Sequence, residues 1–452
     1  MRKILLAATA MAAMTGAAFA QEPAPTVNTG VNSWVSAWGS SVPGPTNEPG
    51  SVKAFLRGRL WVEAAINSDS GFNGTGGKNG NIVFGEFARL YPSFEGVTAN
   101  GLKYGAFIEV RQNSGGAGPS GLTGGNTMIF RRETGYVGGS WGALRFGQTD
   151  GALGLFQTGT FENFGENWNN DLPAYFTAGA VVTWPFPENS GNYGDSKIVY
   201  LSPNFAGFDF GASFSPNTST SSLGNQTTAG AGSPQLSSLG AATFASSQSS
   251  MLRNRNTLEL TGRYQGNVGP VGLTAMVGTA IAGNVKGNPT GLTANGSAPY
   301  KYKDVFAINA GLTAAIGGFA FGGDLWTGAI NPNGSRNTQP VKAGGKNALA
   351  FVLGGSYATG PWIVGASYLS VNRQGFNTED LAGATDANTG RMNEKGVAVG
   401  GTYAWGPGAA LSLSYLYGER HQRGVNLYTG TSSAVGNNTH AQGVLLTQFF
   451  QW

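Results

Sequence analysis

The chain has 452 residues, of which 11% are charged and 40% are hydrophobic. Soluble domains carry roughly 25% charged residues, so the composition argues against an ordinary soluble protein. After the first twenty residues no apolar run is long enough for a membrane helix, and the absence of cysteine excludes a disulfide scaffold. In hydrocarbon only helices and closed β-barrels pair all their backbone groups, so a barrel is the membrane structure that remains.

The N-terminus has the pattern of a secretory signal peptide. Arg2 and Lys3 precede an apolar run, and Ala18-Phe19-Ala20 fits a small-x-small cleavage site. We therefore predict a signal peptide over 1–20 and an exported protein, because the run is short for a membrane anchor. Its removal lowers the formal net charge from +4 by two, to +2, which gives no reason to expect nucleic acid as a partner. Residues 21–52 form a leader of unknown structure.

The first regular pattern is KAFLRGRLWVEAAI, residues 53–66. Its odd positions include Arg57 and Arg59, and its even positions include Leu56, Val62 and Ile66. In a soluble sheet the apolar face would pack inward, whereas in a membrane barrel it faces lipid and the arginines line the interior.

The rest of the chain repeats such alternating runs. Sixteen runs begin near Lys53, Asn81, Leu102, Thr127, Ala143, Lys197, Phe208, Arg255, Val271, Tyr302, Phe319, Asn347, Trp362, Met392, Ala409 and Ala441. Tight Gly-, Pro- or Asn-containing turns alternate with long polar loops, of which the one over 215–250 contains no charge. A β-sandwich would show the same local alternation. The rhythm of the loops favours a transmembrane antiparallel β-barrel over 53–452, with short periplasmic turns and long extracellular loops.

Three stretches resemble general bacterial porins. SKIVYLSPNFAGFDFGASFSP (196–216) is similar to the hairpin after the porin constriction loop, and YVGGSWGALRFGQ (136–148) to the hairpin before it. The terminal LLTQFFQW, with Phe450 and Trp452, resembles the membrane-insertion signal of outer-membrane barrels. The resemblance implies a sixteen-stranded, homotrimeric, passive channel in a Gram-negative outer membrane, whose third long loop folds into the pore. Gln148, where many relatives carry arginine, and the long leader depart from the family.

The position of that loop, about 149–196, carries charges of one sign. The acidic residues are Asp150, Glu162, Glu166, Asp171, Glu188 and Asp195, with no Lys or Arg among them. The strand pattern aims a set of arginines at them from the wall: Arg57, Arg59, Arg111 and Arg145, with weaker patterns for Arg89 and Arg131. Opposed charges across water create a transverse field. We expect this field to orient small hydrophilic solutes and ions, with weak cation preference.

A simpler interpretation stays open for these charges. The carboxylates would lie on a solvated loop, and the arginines would pair with Glu63, Glu109 or Glu133. The aromatic side chains of the loop either anchor it to the wall or bind sugar rings.

Other functions receive little support. Gly138-Gly139-Ser140-Trp141-Gly142 matches the G-x-S-x-G motif of hydrolases, but it lies in a predicted hairpin turn. The only histidines are His421 and His440. We expect no enzymatic activity, no cofactor and no metal site. A general diffusion channel is favoured, a substrate-selective channel for sugars or small organic acids is the alternative, and an adhesin is third. Outer-membrane lipids are expected partners.

Overall fold

The structure is a computed structural model. It describes residues 49–69, 82–112, 128–161, 164–165, 196–217, 255–283, 303–332, 338–339, 341, 343–375, 390–426, 431–432 and 438–452. The predicted signal peptide and most of the leader lie outside these ranges, so both stay predictions. No helix in the described ranges is long and apolar enough to cross a membrane.

The described residues include twenty strands, of which sixteen correspond to the predicted alternating runs. They are β1 (Val52–Asp69), β2 (Ile82–Val97), β3 (Lys103–Gln112), β4 (Met128–Gly139), β5 (Gly142–Gln148), β6 (Ser196–Leu201), β7 (Phe208–Asn217), β8 (Arg255–Val268), β9 (Val271–Gly283), β10 (Val305–Ile316), β11 (Phe319–Gly328), β12 (Asn331–Pro332), β13 (Thr338–Gln339), β14 (Ala348–Thr359), β15 (Trp362–Arg373), β16 (Met392–Gly406), β17 (Ala409–Gln422), β18 (Val425–Asn426), β19 (Thr431–Ser432) and β20 (Asn438–Gln451). β12 pairs with β13, and β18 with β19, as small separate sheets.

The other strands form one closed antiparallel barrel. Each pairs with its sequence neighbour, and β20 closes on β1. The predicted all-β barrel of sixteen strands is confirmed. The predicted starts lie within three residues of the observed ones; the largest differences are at β10, predicted at Tyr302 and found at Val305, and at β20, predicted at Ala441 and found at Asn438. The period-2 pattern was sufficient because each strand has one apolar and one polar face.

The two faces of β1 show the orientation of the wall. Arg59 and Glu63 have 0% and 1% of their surface exposed, whereas Leu56 and Ile66 have 64% and 63%. The polar face is therefore inside the barrel and the apolar face outside, which is the reverse of a soluble β-protein.

A β-bulge interrupts this alternation in β4. Arg132 pairs with Glu109 and Phe130 with Val110, so Arg131 is left opposite no residue of β3. A bulge adds one residue to one strand and shifts the phase of the side chains beyond it. Phe130 is accordingly 63% exposed and Arg132 is buried.

Aromatic pairs mark the periplasmic end of the outer surface. Trp362 stacks on Tyr403 with ring centroids 4.3 Å apart, and Phe319 lies 4.5 Å from Tyr357. Such girdles sit at the boundary between hydrocarbon and water.

The C-terminal residue completes the seam of the barrel. Trp452 N–H donates to the Gly58 carbonyl at 3.1 Å, and Gly58 N–H donates to the Trp452 carbonyl at 3.1 Å. A methyl group on Gly58 would lie 2.2 Å from the Trp452 ring. The ring therefore occupies the space that a side chain at position 58 would fill.

We expect Gly58→Ala to slow barrel formation, because Trp452 must move before β20 can pair with β1. The measurement is the time course of refolding into lipid vesicles, followed by the heat-dependent gel shift of the folded barrel. The matched control is Gly262→Ala on the outer face of β8, where the nearest side-chain atom is 3.4 Å away. Equal rates for the two variants would contradict a role of the Gly58–Trp452 contact in closure.

Candidate pore constriction

The connection after β5 turns into the barrel and lies along its inner wall. Residues 149–161 and 164–165 are described, and they include the short helix α1 (Ala152–Phe156). Leu153, Leu155 and Phe156 in this helix, and Phe164 beyond it, have at most 1% of their surface exposed. We name residues 149–161 and 164–165 the inner segment. The loop aromatics in it, Phe156, Phe161 and Phe164, pack against the wall.

Polar contacts hold the start of the inner segment. The Leu153 N–H donates to the Glu259 carboxylate on β8 at 3.1 Å, and the Ala152 N–H donates to the Ser213 hydroxyl on β7 at 3.1 Å. Ser213 also donates to Glu259, at 3.1 Å. The Lys197 ammonium donates to the Thr149 carbonyl. These bonds satisfy backbone groups that would otherwise be buried without partners.

Five wall glycines make room for the inner segment. We name this set the glycine track: Gly211 on β7, Gly278 on β9, Gly311 on β10, Gly354 on β14 and Gly365 on β15. A methyl group on any of them would collide with the segment; at Gly311 it would lie 2.1 Å from the Thr158 carbonyl oxygen, and at Gly365 2.3 Å from the Phe164 ring. Glycine within a strand often marks such a close approach.

The described part of the segment ends far around the barrel. The Gly165 N–H donates to the Thr402 hydroxyl on β16 at 2.8 Å. Gly165 has φ = 53°, and an added methyl group would lie 2.2 Å from the Ser414 hydroxyl on β17. The inner segment therefore contacts wall strands from β7 to β17 and reduces the cross-section of the interior.

An ion-pair cluster lies at the root of the segment. Arg132 donates to Glu109 on β3, and its Nη2 lies 2.8 Å from Asp150 Oδ1. Arg89 Nη1 lies 2.9 Å from the other oxygen of Glu109. All four side chains are buried. Arg132 thus ties the wall to the first acidic residue of the loop, and buried charges of this kind are retained only with such partners.

The predicted pore residues fall into two groups. Arg59, Arg89 and Arg145 are buried inside the barrel, and Arg57 lies there with 22% of its side chain exposed. Asp150 is the described member of the acidic set. The side chains of Arg111 and Arg131, and the residues Glu162, Glu166, Asp171, Glu188 and Asp195, lie outside the described part of the chain. Their roles stay predictions.

Three of the predicted wall arginines, Arg57, Arg59 and Arg89, contact neighbouring side chains on the wall. Arg57 Nη2 is 4.0 Å from Glu95 Oε1, and the Arg59 guanidinium lies 4.3 Å from the centre of the Trp61 ring. For Arg89 the partner is Glu109, which the simpler interpretation of the sequence named.

Sequence reasoning missed Arg132 and the glycine track. Counted from the outward-facing Phe130, unbroken alternation assigns the inward position to Arg131, whereas the bulge puts Arg132 there, in phase with the buried Thr134 and Tyr136. The track had a visible signal, since its glycines occupy inward positions of predicted strands, but their common partner is distant in the chain.

Interior charges elsewhere also form close pairs. Arg263 Nη2 is 2.6 Å from Asp209 Oδ2, and Arg373 Nε is 3.0 Å from Glu394 Oε2. Among the residues that the structure describes, no group of three or more His, Asp or Glu side chains is arranged to hold a metal ion.

Comparisons with known proteins agree with this geometry. The sequence profile of the Gram-negative porin family matches residues 7–423. The chain belongs to this family. Among solved structures, the porin is similar to the anion-selective porin from Comamonas acidovorans, at 15% identity and a TM-score of 0.53, covering 89% of this chain and 100% of that one. It is also similar to the outer membrane channel DcaP of Acinetobacter baumannii, at 12% identity and a TM-score of 0.51, covering 90% and 99%. A search of curated proteins found no match.

Family and fold together identify an outer-membrane channel. The hydrolase-like motif does not form an active site with either histidine, because Ser140 lies in the turn between β4 and β5, at the end of the tight turns. His421 and His440 lie at the opposite, long-loop end, on β17 and β20.

We expect Arg132→Ala to lower the free energy of unfolding of the porin by about 3–5 kcal/mol, because it leaves Glu109 and Asp150 buried without their shared cation. The free energy of unfolding is measured from the urea-induced unfolding transition of the porin in detergent micelles. Lys395→Gln is the control, since Lys395 and Glu419 lie 3.5 Å apart with 56% and 42% of their side chains exposed, and an exposed pair contributes about 0–1 kcal/mol. A similar loss of unfolding free energy in both variants would contradict a larger contribution of the buried cluster around Arg132.

We expect Gly311→Ala to reduce the single-channel conductance of the porin, because the new methyl group pushes Thr158 away from the wall and into the passage. Planar-bilayer recording measures this effect. Gly272→Ala on the inner face of β9 is the control, since the nearest atom there is 3.6 Å from the added methyl group. Unchanged conductance in the Gly311 variant would indicate that the segment does not limit ion flow.

Proposed function

We propose that the porin is a passive diffusion channel for small hydrophilic solutes and ions, with weak cation preference, and that it works as a homotrimer. The observation that carries the proposal is the inner segment, which crosses the inner wall from β7 to β17 and reduces the cross-section of the interior. A narrowed water passage lined by charges sorts solutes by size and weakly by charge.

The paired wall charges support weak selectivity. Neighbouring opposite charges, such as Arg263 with Asp209 and Arg373 with Glu394, largely cancel each other at a distance. Two charges about 8 Å apart at an effective dielectric of about 20 interact by only about 2 kcal/mol, which biases an ion without holding it. The cation preference rests on the loop between Gln148 and Ser196, which carries six carboxylates and no Lys or Arg. The relative from Comamonas is described as anion-selective, but at 15% identity that likeness concerns the fold alone.

Two features of the outer surface support a subunit contact. Glu86 on β2 is exposed on the outer face between the strand positions of Phe84 and Ala88, and a carboxylate facing lipid is unfavourable. β5 has 7 residues, fewer than the roughly nine to eleven that a tilted strand needs to cross a bilayer. A neighbouring subunit would cover both.

Planar-bilayer recording under a salt gradient tests the proposal. We expect each trimer to insert as one large ohmic conductance step and to close in three equal steps. The reversal potential should be small and have the sign of a cation-selective channel. Sugars should cause no saturable block of the current. Neutralising Glu162, Glu166 and Asp171 together should move the reversal potential toward anions.

Glu86→Gln is the control for this measurement, because Glu86 lies outside the barrel and should leave the reversal potential unchanged. Saturable block by a sugar would favour the substrate-selective alternative, and the absence of conductance would overturn both channel functions. Channels that close in a single step, without two intermediate conductance levels, would contradict the homotrimer.

A further inference from the structure

Both histidines of the chain lie in one cleft on the outer surface of the barrel. The sequence contains two histidines in 452 residues. His421, close to the end of β17, and His440, close to the start of β20, line the same cleft of about 650 Å³. We name it the histidine cleft. The fold therefore brings the two imidazoles of a long chain to one point at the extracellular end of the barrel.

The strand register puts these two side chains at neighbouring positions on one face. Glu419 pairs with His440, and His421 follows Glu419 by two positions on the same strand. Residues two apart on a strand share a face, and both histidines are exposed on the outside of the barrel. Diagonal neighbours in an antiparallel pair lie about 7–8 Å apart, a distance that aromatic and long side chains can span. The two rings can therefore turn toward a common point between β17 and β20.

Other polar groups of the cleft are engaged with one another. Lys395 Nζ lies 3.5 Å from Glu419 Oε1, and the Tyr417 hydroxyl donates to Glu419 Oε2 at 3.1 Å. The Asn372 amide donates to the Asn393 side-chain oxygen. The lysine and the glutamate carry no net charge as a pair. Among the described residues that line the cleft, the imidazoles are the groups that offer a nitrogen lone pair to a ligand.

Two imidazoles favour one class of ion over another. Mg²⁺ and Ca²⁺ prefer carboxylate and carbonyl oxygens, whereas neutral imidazole suits zinc, copper and nickel ions. An imidazole that donates its N–H to a neighbouring group keeps its other nitrogen as a metal ligand. Water can complete the coordination shell, so two protein ligands suffice for a site on a wet surface.

We propose that the histidine cleft binds a transition-metal cation of the Zn²⁺, Cu²⁺ or Ni²⁺ class, with His421 and His440 as its two protein ligands. The bound ion joins β17 to β20 outside the pore, at the base of the last long connection of the barrel. The sequence predicted no metal site because the two histidines are separated along the chain and become neighbours only through strand pairing. The proposal does not depend on the ion preference of the pore.

Binding of Cu²⁺ to the detergent-solubilised porin tests the site, in a chain without an added histidine tag. We expect saturable binding of one ion per chain in the presence of millimolar Mg²⁺, which fills sites made of oxygen ligands. The electron paramagnetic resonance spectrum of the bound Cu²⁺ should show splitting by two imidazole nitrogens. His421→Gln and His440→Gln should each lower the affinity at least about tenfold, since each removes one of two ligand bonds and tenfold corresponds to only about 1.4 kcal/mol.

Lys395→Gln is the matched control, because it changes a residue of the same cleft and keeps both imidazoles. It should retain the affinity for Cu²⁺ and the two-nitrogen spectrum. The proposal is overturned if the unmodified porin binds no Cu²⁺, if its spectrum shows oxygen ligands alone, or if the His421→Gln/His440→Gln double variant binds equally well. Equal weakening by Lys395→Gln would overturn it too, because the loss would then reflect the shape of the cleft. The heat-dependent gel shift verifies folding, and His440→Gln alone replaces the double variant if that variant does not fold.

Discussion

Every backbone N–H and C=O within hydrocarbon needs a partner inside the protein, and the other features of this porin depend on how that need is met. The ladder closes only where β20 joins β1, and there Trp452 and Gly58 exchange both of their backbone bonds. Closure forces each strand to present alternate side chains to lipid and to the interior. Backbone pairing therefore fixes which side chains face the interior, and the residue types at those positions make the interior polar.

The interior is then shaped by two opposite means. Charged side chains fill it near β1–β5, where Arg89, Glu109, Arg132 and Asp150 contact one another. On the wall from β7 to β15, missing side chains leave room, because the glycine track admits the inner segment. The ion pairs fix the start of the inner segment beside β3 and β4. The glycine track fixes how closely the segment approaches the strands from β7 to β15. Both sets are needed to place one constriction.

The fold was largely predictable from the sequence, and the site only in part. Alternation with period 2 located the strands because lipid and water select opposite residue types at adjacent positions. The same alternation placed Arg59 inside and Ile66 outside. It did not identify Arg132, because one extra residue in β4 shifts the alternation relative to the residues before it. No local pattern in the sequence predicts this bulge. The track was not predictable either, because the reason for Gly354 is the Phe161 ring, which is nearly two hundred residues away in the chain.

The glycine track also constrains the order of assembly. Its members come from β7, β9, β10, β14 and β15, so no short part of the chain carries the whole track. A slip of one residue in any of these strands would turn a neighbouring side chain toward the segment and block its path. The segment can thus take its place only after these strands have reached their final register. Its seating is therefore a late folding step, and the constriction forms only on a wall whose strands have reached the correct register.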